Sequence, residues 1–126
     1  MQSHRRLPLL IPPLALMVII FLFSAQPSLD SGLGLLDLIG RKIIHFCEYA
    51  LLCWLWWRVF EPELGASRAA LLAFLISSGY AATDELHQAF VEGRQGTALD
   101  WAIDSAGAAV AALKLRRVRV RDRAAA

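Results

Sequence analysis

The chain contains four apolar segments separated by shorter polar stretches. The segments cover residues 7–24, 43–60, 66–84 and 99–115. At 1.5 Å per residue, a helix of about 18 residues is close to the roughly 30 Å thickness of a hydrocarbon core. The pattern therefore predicts an all-α fold, an integral membrane four-helix bundle formed by residues 1–126 as one domain.

Composition supports a lipid environment. The chain is 57% hydrophobic, and its mean hydropathy is +0.49, above the range of ordinary soluble domains. The two cysteines, Cys47 and Cys53, are six residues apart, so that on one helix they would lie on well-separated faces. We interpret them as apolar fillers and not as a disulfide or a metal-binding pair.

The first segment has two interpretations. It follows Arg5 and Arg6 and could be a cleaved signal peptide, but Phe23 stands where a signal peptidase requires a small residue. A membrane span is the favoured interpretation. Pro12 and Pro13 are expected to kink this helix or to delay its start.

The basic residues predict the orientation of the bundle. Four spans with both termini on one side would place three basic residues on the other side, Arg41, Lys42 and Arg94. The first side would hold the other ten: Arg5, Arg6, Arg58, Arg68, Lys114, Arg116, Arg117, Arg119, Arg121 and Arg123. This asymmetry predicts that both termini are cytoplasmic. The basic tail 116–126 is then either solvated or lies on anionic lipid.

This topology gathers polar residues from all four segments at the outer side. Helical spacing places His45, Glu48 and Tyr49 on one face of the second segment, and Asp100, Asp104 and Gly107 on one face of the fourth. Gly107 and Ala111 form a pair of small residues four apart, which permits a close helix contact. Charged groups at membrane depth usually face the bundle interior or a wet cavity.

Three stretches resemble the VanZ-like family. They are "FLFSAQP" (21–27), "RKIIHFCEYALL" (41–52) and "SGYAATDELHQAFVEGRQGTALDWAIDSAGA" (78–108). Glu92 and Thr97 stand where the family often has proline and serine. The resemblance implies a small multi-pass protein of the bacterial plasma membrane, in a family named for reduced susceptibility to the antibiotic teicoplanin. It implies no established reaction, so that whether the chain is an enzyme stays open.

Several polar residues are candidates for chemistry. His45 and Glu48 could act as an acid/base pair, or could be an interface pair anchored by Arg41 or Lys42. Arg94 could bind a phosphate or carboxylate, or could form a salt bridge to a neighbouring aspartate. The candidate catalytic residues are His45, Glu48, Glu85, His87 and Asp104. The candidate ligand-binding residues are Gln26, Tyr49, Asp84, Gln88, Arg94, Thr97 and Asp100.

The sequence predicts no metal and no cofactor. The order His-x-x-Glu at residues 45–48 is the reverse of the Glu-x-x-His motif of helical di-iron bundles. No serine has the context of an activated nucleophile, and motifs for phosphate loops and for nucleic-acid binding are absent.

Two functional hypotheses follow. In the first, the protein binds or acts on an envelope lipid or its headgroup at the outer leaflet, such as a lipid-linked envelope precursor, and thereby affects teicoplanin susceptibility. In the second, it is a non-catalytic scaffold or a small permeation or proton-relay protein, whose polar cluster is structural. The sequence does not determine the substrate or the oligomeric state.

Overall fold

The computed structural model describes residues 6–25, 34–93 and 96–118. These ranges contain four α-helices and no strand. They are α1 (Leu7–Ser24), α2 (Leu35–Leu64), α3 (Ala66–Gln88) and α4 (Ala98–Leu115). The predicted all-α fold is confirmed for the described residues. By length and composition, α1 and α2 are able to cross a membrane.

Helix α1 begins at Leu7 without the delay that its prolines suggested. Pro8 lies in the first turn, where backbone amides have no partner within the helix, and Pro12 and Pro13 are accommodated inside the helix. Most of the α1 surface is apolar and exposed, and only 17% of its residues are buried inside the protein. A core helix of a soluble protein would be covered much more completely.

Helix α2 is longer at both ends than the predicted segment 43–60. Its additional first turns contain Asp37 and Arg41, which form an ion pair four residues apart that supports the helix. The hydropathy pattern did not predict these turns as part of the helix, because they contain charged residues. Two glycines with positive φ, Gly34 and Gly65, bound the helix.

The start of α3 has no side-chain N-cap. Ser67 precedes an apolar run, as N-cap residues often do, but it lies inside the helix, and the N-cap residue is Gly65, which has no side chain to donate or accept. The indole Nε1 of Trp57 donates instead to the carbonyl oxygen of Ala66, at 3.1 Å. This bond ties the end of α2 to the start of α3.

Helix α3 also continues past residue 84 to Gln88, so that Glu85, His87 and Gln88 are all helical. Helix α4 has a regular N-cap, in which Thr97 Oγ1 accepts from the amide of Asp100 at 3.1 Å. The same hydroxyl donates to an Asp100 carboxylate oxygen at 2.7 Å. The turn before α4 therefore fixes the orientation of Asp100.

Helix α2 is the centre of the bundle and packs against the other three helices. Helix α4 runs parallel to it, because Lys42 meets Asp100 and, further along both helices, Phe46 meets Gly107. The interior is made largely of small residues, and α3 buries Ala69, Ala70, Ala73, Ser77 and Ala81. Large apolar side chains such as Leu71 and Leu75 are exposed on the same helix.

We predict that Gly107 tolerates no side chain. A Cβ at this position would overlap the backbone carbonyl of Phe46 and lie 2.9 Å from its carbon atom. Gly107→Ala should lower the free energy of unfolding by about 1–3 kcal/mol, because α4 must move away from α2. Gly107→Leu should impair folding further. The measurements are membrane abundance and thermal stability in detergent.

The matched control for this prediction is Gly79→Ala, because a Cβ at Gly79 in α3 meets nothing within 4 Å. This variant should be as stable as the unmodified protein or slightly more stable, since alanine favours a helix. Equal stability of the two alanine variants would contradict the close contact between α2 and α4.

Candidate functional site

A polar cavity of about 260 Å³ lies where α2 and α4 begin and α3 ends. Its lining comes from these three helices and from the turn after α3. The lining residues are Leu38, Arg41, Lys42, His45, Glu85, Gln88, Gly93, Asp100, Ile103 and Asp104. The structure thus brings together five of the residues that the sequence predicted for a site: His45, Glu85, Gln88, Asp100 and Asp104.

One wall of this cavity is held by a network around Asp100. Lys42 Nζ lies 2.6 Å from Asp100 Oδ1 and crosslinks α2 to α4. The backbone amide of Thr97 donates to Glu85 Oε2 at 3.1 Å, which links the turn before α4 to the end of α3. Gly96 lies against the backbone of Glu85 so closely that a Cβ would overlap its carbonyl group. The network therefore needs a glycine at this position.

The deeper wall contains His45 of α2 and Asp104 of α4, and Asp84 of α3 lies close to both without lining the cavity. Asp104 is 0% exposed, and Asp84 is 3% exposed. Tyr49 Oη donates to Asp84 Oδ2 at 3.3 Å, and His45 Nδ1 lies 3.4 Å from Asp104 Oδ1. Tyr49 is fully buried and orients Asp84 from behind, without lining the cavity.

A second cavity, of about 300 Å³, lies between α1 and α2. It is lined by Ile20, Phe23, Ser24, Arg41, Ile44, His45 and Glu48, and most of its surface is apolar. Glu48 therefore faces this cavity and not the polar cavity. Arg41 and His45 line both cavities, so that they stand between the polar and the apolar space.

Some predicted site residues are not in the polar cavity. His87 stacks on Phe21 of α1, with ring centroids 4.5 Å apart, and does not line the cavity. Gln26 and Arg94 lie outside the described residues. Thr97 acts on the cavity through Asp100 and Glu85 and does not line it.

Arg41 and Lys42 also line the cavity, although the sequence indicated them only as basic residues of the outer side and as anchors of the interface. The signal for them was their position one helical turn before His45, on the face that also carries Glu48 and Tyr49. Ile103 and Leu38 carried no such signal, because apolar residues are common at every depth of this chain.

Comparison with known proteins identifies one family. A family model described as VanZ/LLP1 matches residues 9–119. No curated protein and no solved structure matches the chain.

The two aspartates of α4 should respond in opposite ways to neutralisation. Asp100 is bonded to Lys42 and Thr97, whereas neither carboxylate oxygen of Asp104 has a hydrogen-bond partner among the described residues. Asp100→Asn should lower the free energy of unfolding by about 1 kcal/mol, because it weakens a partly exposed ion pair. Asp104→Asn should leave stability unchanged or raise it, because it removes a buried charge that lacks hydrogen bonds.

The measurement is the thermal midpoint of both variants in detergent, with a chelator present to remove metal ions. A larger decrease of the midpoint for Asp104→Asn than for Asp100→Asn would show that Asp104 stabilises the metal-free bundle, contrary to this prediction.

Proposed function

Because this chain belongs to the VanZ/LLP1 family, which its family model matches over residues 9–119, we propose that it is a four-span membrane protein that binds an anionic lipid headgroup. In this proposal both termini are cytoplasmic, and the polar cavity faces the outer leaflet of a bacterial plasma membrane. The observation that carries the proposal is the pair of adjoining cavities, one polar and one mostly apolar, that share Arg41 and His45.

The distribution of side chains supports a lipid environment for all four helices. On α3 and α4, the buried residues are small or polar, and large apolar residues are exposed. On α4, for example, Asp104, Gly107 and Ala108 are buried, while Val110 and Leu113 are exposed. A water-soluble bundle would have the opposite arrangement, whereas membrane helices associate through small residues and leave apolar ones to lipid.

The charge distribution supports the orientation. The polar cavity lies at the end of the bundle that would carry only three basic residues, and the other end would carry ten. The positive-inside rule assigns the cavity end to the outside. At the opposite end of the bundle, an ion pair between Arg6 and Glu63 links the start of α1 to the end of α2. Such a pair is compatible with two spans that reach the cytoplasmic boundary at the same level.

The two cavities match the two parts of a lipid. Lys42 would exchange its bond to Asp100 for a phosphate oxygen of the headgroup, since both are anionic acceptors. Arg41, at the boundary of both spaces, would lie beside the glycerol region. The mostly apolar cavity between α1 and α2 would take the first part of an acyl chain, with Ile20, Phe23 and Ile44 as its apolar contacts.

Topology reporters test the arrangement of the spans. A fusion after residue 126 and a fusion at Gly65 should both report the cytoplasm. Gly65 is in the turn between α2 and α3, which the proposal places on the cytoplasmic side. A fusion within residues 89–98 should report the outside. Reporters that place 89–98 in the cytoplasm would remove the outer cavity from the proposal.

Lipid binding can be tested on the purified protein by native mass spectrometry. Bound phosphatidylglycerol should outnumber phosphatidylcholine, and Lys42→Gln should weaken phosphatidylglycerol binding by about tenfold or more, the expected effect of losing one charge-assisted hydrogen bond. Arg68→Gln is the matched control, because it removes an exposed basic residue at the opposite end. Equal binding by both variants would contradict the assigned headgroup site.

The consequence in cells is tested with four charge-neutralising variants: Glu48→Gln, Glu85→Gln, Arg94→Gln and Asp104→Asn. Each is scored for membrane abundance and for susceptibility to teicoplanin. A binding site predicts that some variants keep normal abundance and lose the phenotype. A phenotype that only follows abundance in all four would instead support the scaffold hypothesis, in which the polar cluster serves folding.

A further inference from the structure

The deeper wall of the polar cavity, together with Asp84, which is near it but does not line the cavity, has an arrangement that the headgroup proposal does not use. His45, Asp84 and Asp104 come from three different helices, and one ligand atom of each lies within 4.8 Å of the others. Two of the three side chains are carboxylates that are almost completely buried. A cluster of two carboxylates and one imidazole in the interior of a helical bundle requires a partner for its charge.

The oxygen atoms of this cluster have unused lone pairs. Neither oxygen of Asp104 has a hydrogen-bond partner among the described residues, and neither does Oδ1 of Asp84. The other oxygen of Asp84 accepts a hydrogen bond from Tyr49 Oη at 3.3 Å, which holds the carboxylate in place. The unpaired atoms are therefore oriented and buried, and they lie close to one another.

The separation of His45 and Asp104 is informative. Nδ1 of His45 and Oδ1 of Asp104 are 3.4 Å apart, which is an ion-pair contact when His45 is protonated but does not have the geometry of a hydrogen bond. A charge-assisted hydrogen bond between these groups would be about 2.7–2.9 Å long. Two ligands that bind one ion at about 2.0–2.1 Å with a tetrahedral angle are about 3.3–3.4 Å apart. The pair thus has the spacing of two ligands that share an ion.

We propose that His45, Asp84 and Asp104 form a binding site for a first-row divalent cation, Zn²⁺ or Mn²⁺. Imidazole favours such ions over Ca²⁺ and Mg²⁺, and the two carboxylates supply a charge of −2 that the ion neutralises. Tyr49 is the residue that positions Asp84 for the ion. His45 and Asp104 also line the polar cavity, so that the remaining coordination positions face it and are open to water or to an anion.

The proposal rests on side-chain geometry and not on the identity of the lipid. It differs from the sequence prediction of no metal, which relied on the order of His45 and Glu48 along one helix. In the structure Glu48 faces the apolar cavity, and its place beside His45 is taken by two aspartates from the neighbouring helices.

The test uses the full chain without an affinity tag, purified in a phospholipid-free detergent, stripped with a chelator and dialysed against Zn²⁺ or Mn²⁺. Elemental analysis should find one ion per chain with at least one of the two metals. His45→Gln, Asp84→Asn and Asp104→Asn should each weaken binding by at least about tenfold, which corresponds to the loss of 1.4 kcal/mol. Glu63→Gln is the control, because it removes an exposed carboxylate at the opposite end of the bundle and should bind as the unmodified protein does.

Thermal stability supplies a second measurement that does not depend on any activity. The ion should raise the thermal midpoint of the unmodified protein and of Glu63→Gln, and should not raise that of Asp104→Asn. If one of the site variants fails to fold, the other two still decide the question. Failure of the unmodified protein to bind either metal, or binding that all three variants retain, would overturn the proposal. Because lipid is absent from these measurements, either result leaves the headgroup proposal to its own test.

Discussion

The contact between Gly107 of α4 and the backbone of Phe46 in α2 is the constraint on which the rest of the site depends. No Cβ fits between the two backbones, so that the helices approach more closely than side chains would allow. Gly107 lies about one turn after Asp104, and Phe46 directly follows His45. The contact therefore holds Asp104 next to His45, and one turn further out it holds Asp100 next to Lys42.

The same contact explains why charged groups can be buried here. Where two helices touch through their backbones, the side chains beside the contact lie close together. A lipid chain does not fit between them. Asp100 pairs with Lys42, whereas the Asp104 oxygens have no hydrogen bond among the described residues and only the contact of Oδ1 with His45 at 3.4 Å. A buried carboxylate without hydrogen bonds costs stability, so that its presence points to a role that stability alone does not explain.

The two proposals assign different parts of one cavity. The wall of the cavity with Lys42 and Asp100 contains an ion pair. An anionic group of a ligand would take the place of the Asp100 carboxylate beside Lys42. The deeper wall, with His45 and Asp104 and with Asp84 close to both, suits a cation. A phosphate group bound between them could contact both the lysine and the ion, which is the usual relation of a phosphate to a protein-bound divalent metal. His45 connects these functions to the apolar cavity beside α1.

The sequence by itself determined the number and approximate position of the helices, because apolar segments and their charged boundaries are local properties. It also determined that Asp100, Asp104 and Gly107 share a face of α4, and the VanZ-like motifs identified the family that the family model confirms. It missed the first turns of α2, because Asp37 and Arg41 stabilise a helix through a pairing that hydropathy does not detect.

Only the tertiary structure decided which polar residues meet. Tyr80, Asp84 and His87 are three or four residues apart and share one face of α3, but this face meets two neighbouring helices. Tyr80 bonds to Met17 and His87 stacks on Phe21, both in α1, whereas Asp84 bonds to Tyr49 in α2. The spacing of residues along one helix gives the direction in which they point around its axis. It does not show which helix lies on that side, or the register between the two helices. The glycine contact between α2 and α4 fixes the register that brings His45 to Asp104, and the bond from Tyr49 to Asp84 adds the residue from α3.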